Sequence, residues 1–181
     1  VQYWELRRPT VLGHSNFAGV LQLAEAITDT QGRYIFKRWG PVTAPEGAII
    51  DSNSPEISFF KLGYVPIGKG NYLPESFGAH ERTNALRSDW SGKAIELEPA
   101  EMPLKDYATR ISGYRTGFNN PIYRDPGHCH WTKIPRTIAA LHKEKKRLEE
   151  AGISTPLVFF EHMPEQDRCG DAKTILKEYL Q

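Results

Sequence analysis

A chain of 181 residues has the size of a single domain and is long enough to bury one hydrophobic core without stabilisation by several disulfides or metals. Its formal net charge of +1 excludes a strong overall field that would attract nucleic acid or acidic lipid, although it is compatible with a local basic patch. No stretch has the roughly 18–20 consecutive apolar residues of a membrane span, and no signal-peptide pattern is present.

The first 39 residues predict a β-α-β unit. The stretches "YWELRR" (3–8) and "RYIFKRW" (33–39) alternate in the way that is typical of strands. Between them, Ser15 or Asn16 is a suitable helix N-cap. The apolar residues that follow have helical spacing and predict one amphipathic helix of about three turns: Phe17, Val20, Leu21, Ala24 and Ile27.

Residues 40–130 are interrupted by proline and glycine and predict a loop-rich middle. We expect a strand or two within 56–67, a half-buried strand at 92–98 and a short helix at 103–111. A segment with so little periodicity needs a surface on which to lie. That surface is the chain's own core, a partner chain or RNA.

The last third predicts two helices. The first follows Thr132 as a cap, carries Pro135 in its first turn and ends before Gly152; its apolar seam comprises Ile134, Ile138, Leu141 and Leu148. A strand is expected at 156–161 and a terminal helix at 171–180. The fold class is therefore α+β, with one domain over residues 1–181 that contains the β-α-β unit, the irregular middle and the two C-terminal helices.

The stretch "RDPGHCHWTKIPRT" (124–137) contains the strongest candidate site. On a strand, His128 and His130 would share one face and suit a divalent cation, with Asp125 or Glu161 as an oxygen ligand. Such a pair also resembles the histidines of the HUH nucleases, for which Tyr179 would be the nucleophile. The alternative is that both histidines lie in a turn, where they cap a helix or pack on a neighbouring tryptophan.

Two further fragments, "GHSNFAGVLQLA" (13–24) and "PIGKGNYLPESF" (66–77), resemble pieces of the poly-ADP-ribose polymerase family. The resemblance implies that His14, placed before a helix, holds the nicotinamide ribose of NAD and that Tyr72 stacks on the nicotinamide. Glu161 is the best match for the catalytic glutamate. The family's His-Gly-Ser reads His-Ser-Asn here.

The run "HKEKKRLEE" (142–150) is a charged helix face that is usually solvated. It also offers, with the residues just before it, a candidate nucleic-acid-binding surface: Lys133, Arg136, Lys143 and Lys146. Aromatic residues beside lysine or arginine recur along the chain, a pairing that is common where a protein docks on another chain or on RNA.

The two cysteines, Cys129 and Cys169, form no disulfide framework, so a reducing compartment is favoured while their pairing stays open. We therefore expect an intracellular protein, and its start at Val1 rather than Met is compatible with an organellar protein from which a targeting peptide has been removed.

Three classes of function are left open. The leading hypothesis is a non-catalytic structural or interaction subunit of a larger protein or ribonucleoprotein assembly, with other protein subunits and RNA as partners. The second is a metal-dependent hydrolase or nuclease that uses Asp125, His128 and His130 with a divalent metal. The third, implied by the resemblance, is an NAD-dependent ADP-ribosyltransferase.

Overall fold

A computed structural model of the chain describes residues 1–40, 42–51, 53–70, 88, 90–155, 157, 163 and 166–180. Its five strands pair antiparallel in the order β2-β1-β4-β5, and β3 pairs with β1. The strands are β1 (Gln2–Pro9), β2 (Ser15–Ala24), β3 (Ile49–Ile50), β4 (Glu56–Phe59) and β5 (Ile67–Lys69). The helices are α1 (Leu104–Tyr123), α2 (Pro135–Glu150), α3 (Gln166–Cys169) and α4 (Ala172–Leu176). The α+β class is confirmed.

A β-hairpin replaces the expected β-α-β unit. The helix predicted after Ser15 is wrong, because residues 15–24 form β2 and pair with β1 along its whole length. Two β-bulges explain the misleading spacing: Ala18 and Leu21 have no partner in the ladder, so the apolar residues depart from strict alternation. The segment 33–39 is not a strand; its Trp39 packs edge-on against Trp4 of β1, with ring centroids 5.3 Å apart.

The middle third contains more helix at its C-terminal end than the sequence predicts. One predicted strand within 56–67 corresponds to β4, while β5 begins only at the last residue of that range, and the predicted helix at 103–111 extends to Tyr123. The strand predicted at 92–98 is wrong. The Glu98 carbonyl of that segment accepts from the Val65 amide (2.8 Å), next to an isolated bridge between Tyr64 and Pro99, and the Lys93 amide donates to the Trp90 carbonyl (3.2 Å) in a turn; these bonds do not make a strand.

The hydrophobic core lies between the β1–β2 hairpin, α1, α2 and the C-terminal helix. The predicted seam of α2 is confirmed, since Ile134, Ile138, Leu141 and Leu148 are all fully buried. The terminal helix is confirmed as α4, which a 3-10 turn extends to Tyr179. Its Asp171 caps it by accepting from the Thr174 amide (2.9 Å). The strand predicted at 156–161 lies outside the described residues apart from Leu157, which is buried.

The N-terminus of α2 is capped from a distance. Thr132 is not the cap, because its hydroxyl donates to the Cys129 carbonyl instead. The Glu25 carboxylate, directly after β2, accepts from the backbone amides of Arg136 (3.0 Å) and Thr137 (2.9 Å). An acidic group at this position also interacts favourably with the helix dipole. This contact fixes the end of β2 against α2 and positions the turn that precedes the helix.

None of the helices in the described ranges combines the length and the apolar composition needed to cross a bilayer.

Candidate metal centre

The two candidate histidines lie in consecutive 3-10 turns, Pro126–His128 and His130–Lys133, so of the two backbone alternatives the turn is confirmed and the strand is wrong. Cys129 separates the turns in the left-handed conformation, with φ 51° and ψ 37°. This residue reverses the chain direction and brings the two imidazoles to the same side. Their rings stack with centroids 5.6 Å apart and planes inclined by 25°.

Asp125 joins the two rings through its carboxylate. Its Oδ1 lies 2.6 Å from His128 Nδ1, and its Oδ2 lies 2.9 Å from His130 Nε2. One ligand atom from each of the three side chains lies within 4.8 Å of the others. The first 3-10 turn explains the closer pair, because residues three apart are neighbours in such a turn. The structure therefore brings together the three metal ligands that the sequence predicts.

Strand β2 holds the carboxylate in place. The Val20 amide donates to Asp125 Oδ2 at 3.2 Å. The preceding residue, Gly19, has φ +135°, and a Cβ there would lie 3.5 Å from the same oxygen. A side chain at Gly19 would be strained, so the bulged strand and the acidic side chain fit each other closely.

Burial and hydrogen bonding set the charges of the cluster. His130 is only 3% exposed, and this burial lowers its pKa despite the opposing effect of Asp125. Burial alone would raise the pKa of Asp125, but hydrogen bonds from His130 and His128 together lower it. At neutral pH the cluster thus contains an anionic carboxylate and a neutral buried imidazole, as metal ligation requires.

The disulfide Cys129–Cys169 links the histidine turns to α3 across 40 residues of sequence. The pairing that the sequence leaves open is therefore present. It immobilises the residue between the two histidines. Disulfides persist mainly in oxidising compartments, whereas sparse cysteines favour a reducing one, so the compartment stays a prediction.

Cationic side chains surround the cluster. The Arg124 guanidinium lies 4.7 Å from the ring centroid of Phe17 on β2. Exposed Lys133 is close enough to contribute to the lowered pKa of His130. Arg168 donates to the carbonyl of Gly127. Together these residues favour an anionic partner at the open side of the cluster, where the side chain of His128 is 69% exposed.

The cluster fits a divalent cation in number and type of ligands. Two histidines and one carboxylate suit zinc, iron or manganese and leave coordination positions for water and substrate. Metal–ligand bonds of about 2.0–2.1 Å place neighbouring ligand atoms about 3.0–3.4 Å apart. The contacts of Asp125 with the two imidazoles, at 2.6 and 2.9 Å, would have to lengthen, and the widest separation in the group, which is up to 4.8 Å, would have to shorten by up to about 1.4 Å. The proton-bearing nitrogens that now face Asp125 would also have to lose their protons.

Comparison of the chain with protein-family models, with curated proteins and with solved structures finds no match.

The other predicted site residues are distributed over the molecule. His14 is exposed and begins β2, so the helix implied by the ADP-ribosyltransferase resemblance is not there. Tyr72 and Glu161 lie outside the described residues. Tyr179 ends a 3-10 turn, where the Arg136 guanidinium lies 5.4 Å from its ring centroid.

The four predicted nucleic-acid-binding residues are spread along α2 and the turn that precedes it. Lys133 is beside the metal cluster, and Arg136 is in the first turn of the helix. Lys143 and Lys146 come seven and ten residues after Arg136, which corresponds to about 10 and 15 Å along the axis.

Sequence reasoning missed a buried ionic group on β1. Glu5 is 5% exposed, accepts from the Tyr3 hydroxyl (2.7 Å) and pairs with Arg7, whose Nε also contacts Asp51 Oδ2 at 3.0 Å. Burial raises the pKa of nearby Glu56, and the charges of Glu5 and Asp51 add to the effect. The sequence signal that could have revealed this group is the alternation along β1, because residues 3, 5 and 7 lie on the same face of a strand.

Proposed function

We propose that this protein is a metal-dependent hydrolase whose metal ligands are Asp125, His128 and His130. One observation carries the proposal: a single carboxylate contacts both imidazoles, and the ligand atoms lie within 4.8 Å of one another. Three protein ligands are typical of catalytic sites, whereas structural sites are usually closed by four. A bound ion there would supply a Lewis acid and a ligated water with a lowered pKa.

The residues around the cluster suggest how the site is arranged. His130 is buried and fixed, so it orients the cluster, while exposed His128 faces the side from which substrate enters. The Val20 amide and the Cys129–Cys169 disulfide hold the ligands in place before binding. The adjacent cations Arg124 and Lys133 favour an anionic ester as substrate, and a phosphodiester is one such group.

Hydrolysis of a model phosphodiester and of a model carboxylic ester tests this function. We expect activity that EDTA abolishes and that added divalent metal restores. His128→Ala and Asp125→Asn should abolish it. His14→Ala removes a different exposed histidine, which contacts its surroundings through its backbone carbonyl, and should retain it. Activity that persists in EDTA would reject the metal, and its loss in Asp125→Asn and His128→Ala would then assign the reaction to the Asp125–His128 pair acting as an acid–base dyad.

A second candidate function is the non-catalytic interaction subunit. The tip of the β1–β2 hairpin favours it, because Val11 and Leu12 are 103% and 81% exposed. Apolar side chains presented at a tip are typical of docking elements when they form part of a larger patch. The double substitution of Val11 and Leu12 by serine should improve solubility of the isolated chain. Unchanged solubility and mass would argue against docking through this tip.

The ADP-ribosyltransferase hypothesis stays a prediction. Millimolar NAD should raise the melting temperature by mass action if it applies, and an unchanged melting temperature would count against it.

A further inference from the structure

A cleft of about 1440 Å³ lies beyond Glu25, away from the metal cluster. Residues 25–36, β4, Ser88 and residues 90–95 contribute to its walls. Val20, which contacts the metal cluster, precedes Glu25 by five residues along β2. At about 3.3 Å per residue this corresponds to about 17 Å, so the cleft and the metal cluster are separate features.

The walls of the cleft carry many half-buried aromatic side chains: Tyr34, Phe36, Phe59, Phe60, Tyr64 and Trp90. Tyr34 packs edge-on against both Phe36 and Phe59, with centroids 5.8 and 5.4 Å apart. The Trp90 indole donates to the Gly70 carbonyl at 3.0 Å, which fixes the plane of the ring. Aromatic rings that are oriented yet half-exposed offer faces on which flat ligands can stack.

Lysine ammonium groups lie over two of these half-buried rings. The Lys61 ammonium is 4.0 Å from the ring centroid of Tyr64. The ammonium groups of Lys69 and Lys93 each lie 5.4 Å from the centroid of Trp90. This combination offers a stacking surface and a phosphate-binding cation at the same point, which is how proteins bind single-stranded nucleic acid.

The cleft is electropositive although the whole chain has a net charge of +1. Among the described residues, the side chains of its lining include four cations, Arg33, Lys61, Lys93 and Arg136, and two carboxylates. Both carboxylates are already engaged with backbone amides. Glu25 caps α2, and Asp29 accepts from the amides of Gln31 and Arg33 at 2.9 Å each. The cations are thus left to interact with an incoming anion.

The volume argues for a chain rather than one nucleotide. Pockets for small molecules usually measure about 300–1,000 Å³, and this cleft exceeds them. A duplex hides its base faces in the stack and cannot use the aromatic walls. We propose that the cleft binds a short stretch of single-stranded nucleic acid, with bases stacked on Trp90 and Tyr64 and phosphates held by Lys61 and Lys93.

Fluorescence anisotropy with a labelled single strand of about twelve nucleotides, as DNA and as RNA, tests this proposal. The buffer contains EDTA and about 50 mM salt, so that binding is independent of the metal cluster. Trp90→Ala should weaken binding at least about ten-fold, and Trp90→Phe should restore part of it. Lys93→Glu should weaken binding and reduce its salt dependence. Lys105→Glu makes the same charge change at an exposed position of α1 outside the cleft and should have no effect.

Three results would overturn the proposal. The first is absence of binding at about 100 μM protein, where even non-specific binding is normally detected. The second is equal affinity for a duplex of the same length. The third is wild-type affinity in Trp90→Ala and Lys93→Glu, which would place binding elsewhere. If Trp90→Ala does not fold, Lys93→Glu alone decides, since Lys93 is exposed. Failure of metal binding at Asp125 would leave the anisotropy result unaffected.

Discussion

Replacement of Asp125 by alanine is the perturbation whose effect follows most directly from the structure. The carboxylate accepts from His128, from His130 and from the Val20 amide. Exposed His128 will exchange its lost partner for water. The buried ring of His130 and the part-buried Val20 amide cannot replace their lost partner by water. Each unsatisfied donor costs about 1–3 kcal/mol in the free energy of unfolding. The part-buried Val20 amide should cost about 1 kcal/mol, at the lower end of this range. Together with His130, we therefore expect a loss of about 2–4 kcal/mol in the free energy of unfolding.

Urea unfolding at pH 7 without metal measures this loss. The control is Asp171→Ala, which removes a carboxylate that caps an exposed helix end and should cost less than Asp125→Ala. If the free energy of unfolding falls with urea concentration at the same slope as in the wild type, the compactness of the unfolded state is unaffected. If Asp125→Ala costs no more than Asp171→Ala, the cluster does not hold the histidine turns against β2, and the reasoning fails.

The same variant has a distinct pH dependence. The pKa of His130 is lowered below 6.5 in the folded chain, so below pH 6.5 the unfolded chain binds more protons and stability falls. Asp125 acts in the same direction at lower pH, because its pKa is lowered below 3.8 and its contribution is lost as pH falls through that pKa. Without the carboxylate the pKa of His130 should decrease further. The stability difference between wild type and Asp125→Ala should therefore widen as pH falls from 6.5 to 5; a constant difference would contradict this account.

Three further perturbations test the surrounding structure. Glu25→Gln should cost about 1–2 kcal/mol in urea unfolding, because the cap of α2 loses its charge-assisted hydrogen bonds, and no loss would show that the cap is dispensable. Reduction and alkylation of Cys129 and Cys169 should cost about 4 kcal/mol, since the bond closes a 40-residue separation, and an unchanged melting curve would contradict this. Gly19→Ala should cost about 1–3 kcal/mol through strain at φ +135° and weaken metal binding as well, whereas a stable variant would show that β2 adjusts.

The seam of α2 is predictable because its apolar residues at helical spacing, together with Ile134 directly before the helix, are fully buried. β2 is not predictable in this way. Its bulges at Ala18 and Leu21 shift the apolar residues out of strict alternation, and the result imitates the period of a helix. A local pattern of apolar residues cannot distinguish a bulged strand from a helix, since only the pairing of this segment with β1 decides between them.

The metal cluster is predicted in its members but not in its geometry. Asp125 and His128 are three residues apart, so any tight turn brings them together. His130 joins them because Cys129 adopts a left-handed conformation, which a strand-based prediction does not include. The contacts from Val20 and Glu25 span more than 100 residues and depend on how the hairpin packs against α2, so no spacing rule reveals them.

The native mass of the purified chain, measured with divalent metal supplied and again after a chelator, decides whether Asp125, His128 and His130 form a metal centre. We expect one metal ion per chain in the wild type and in His14→Ala, and none after chelation. In His128→Ala the affinity should fall by at least about 10–100-fold. A chain that binds no metal, or a His128→Ala variant that retains a full equivalent, would contradict the assignment of Asp125, His128 and His130 as a metal centre.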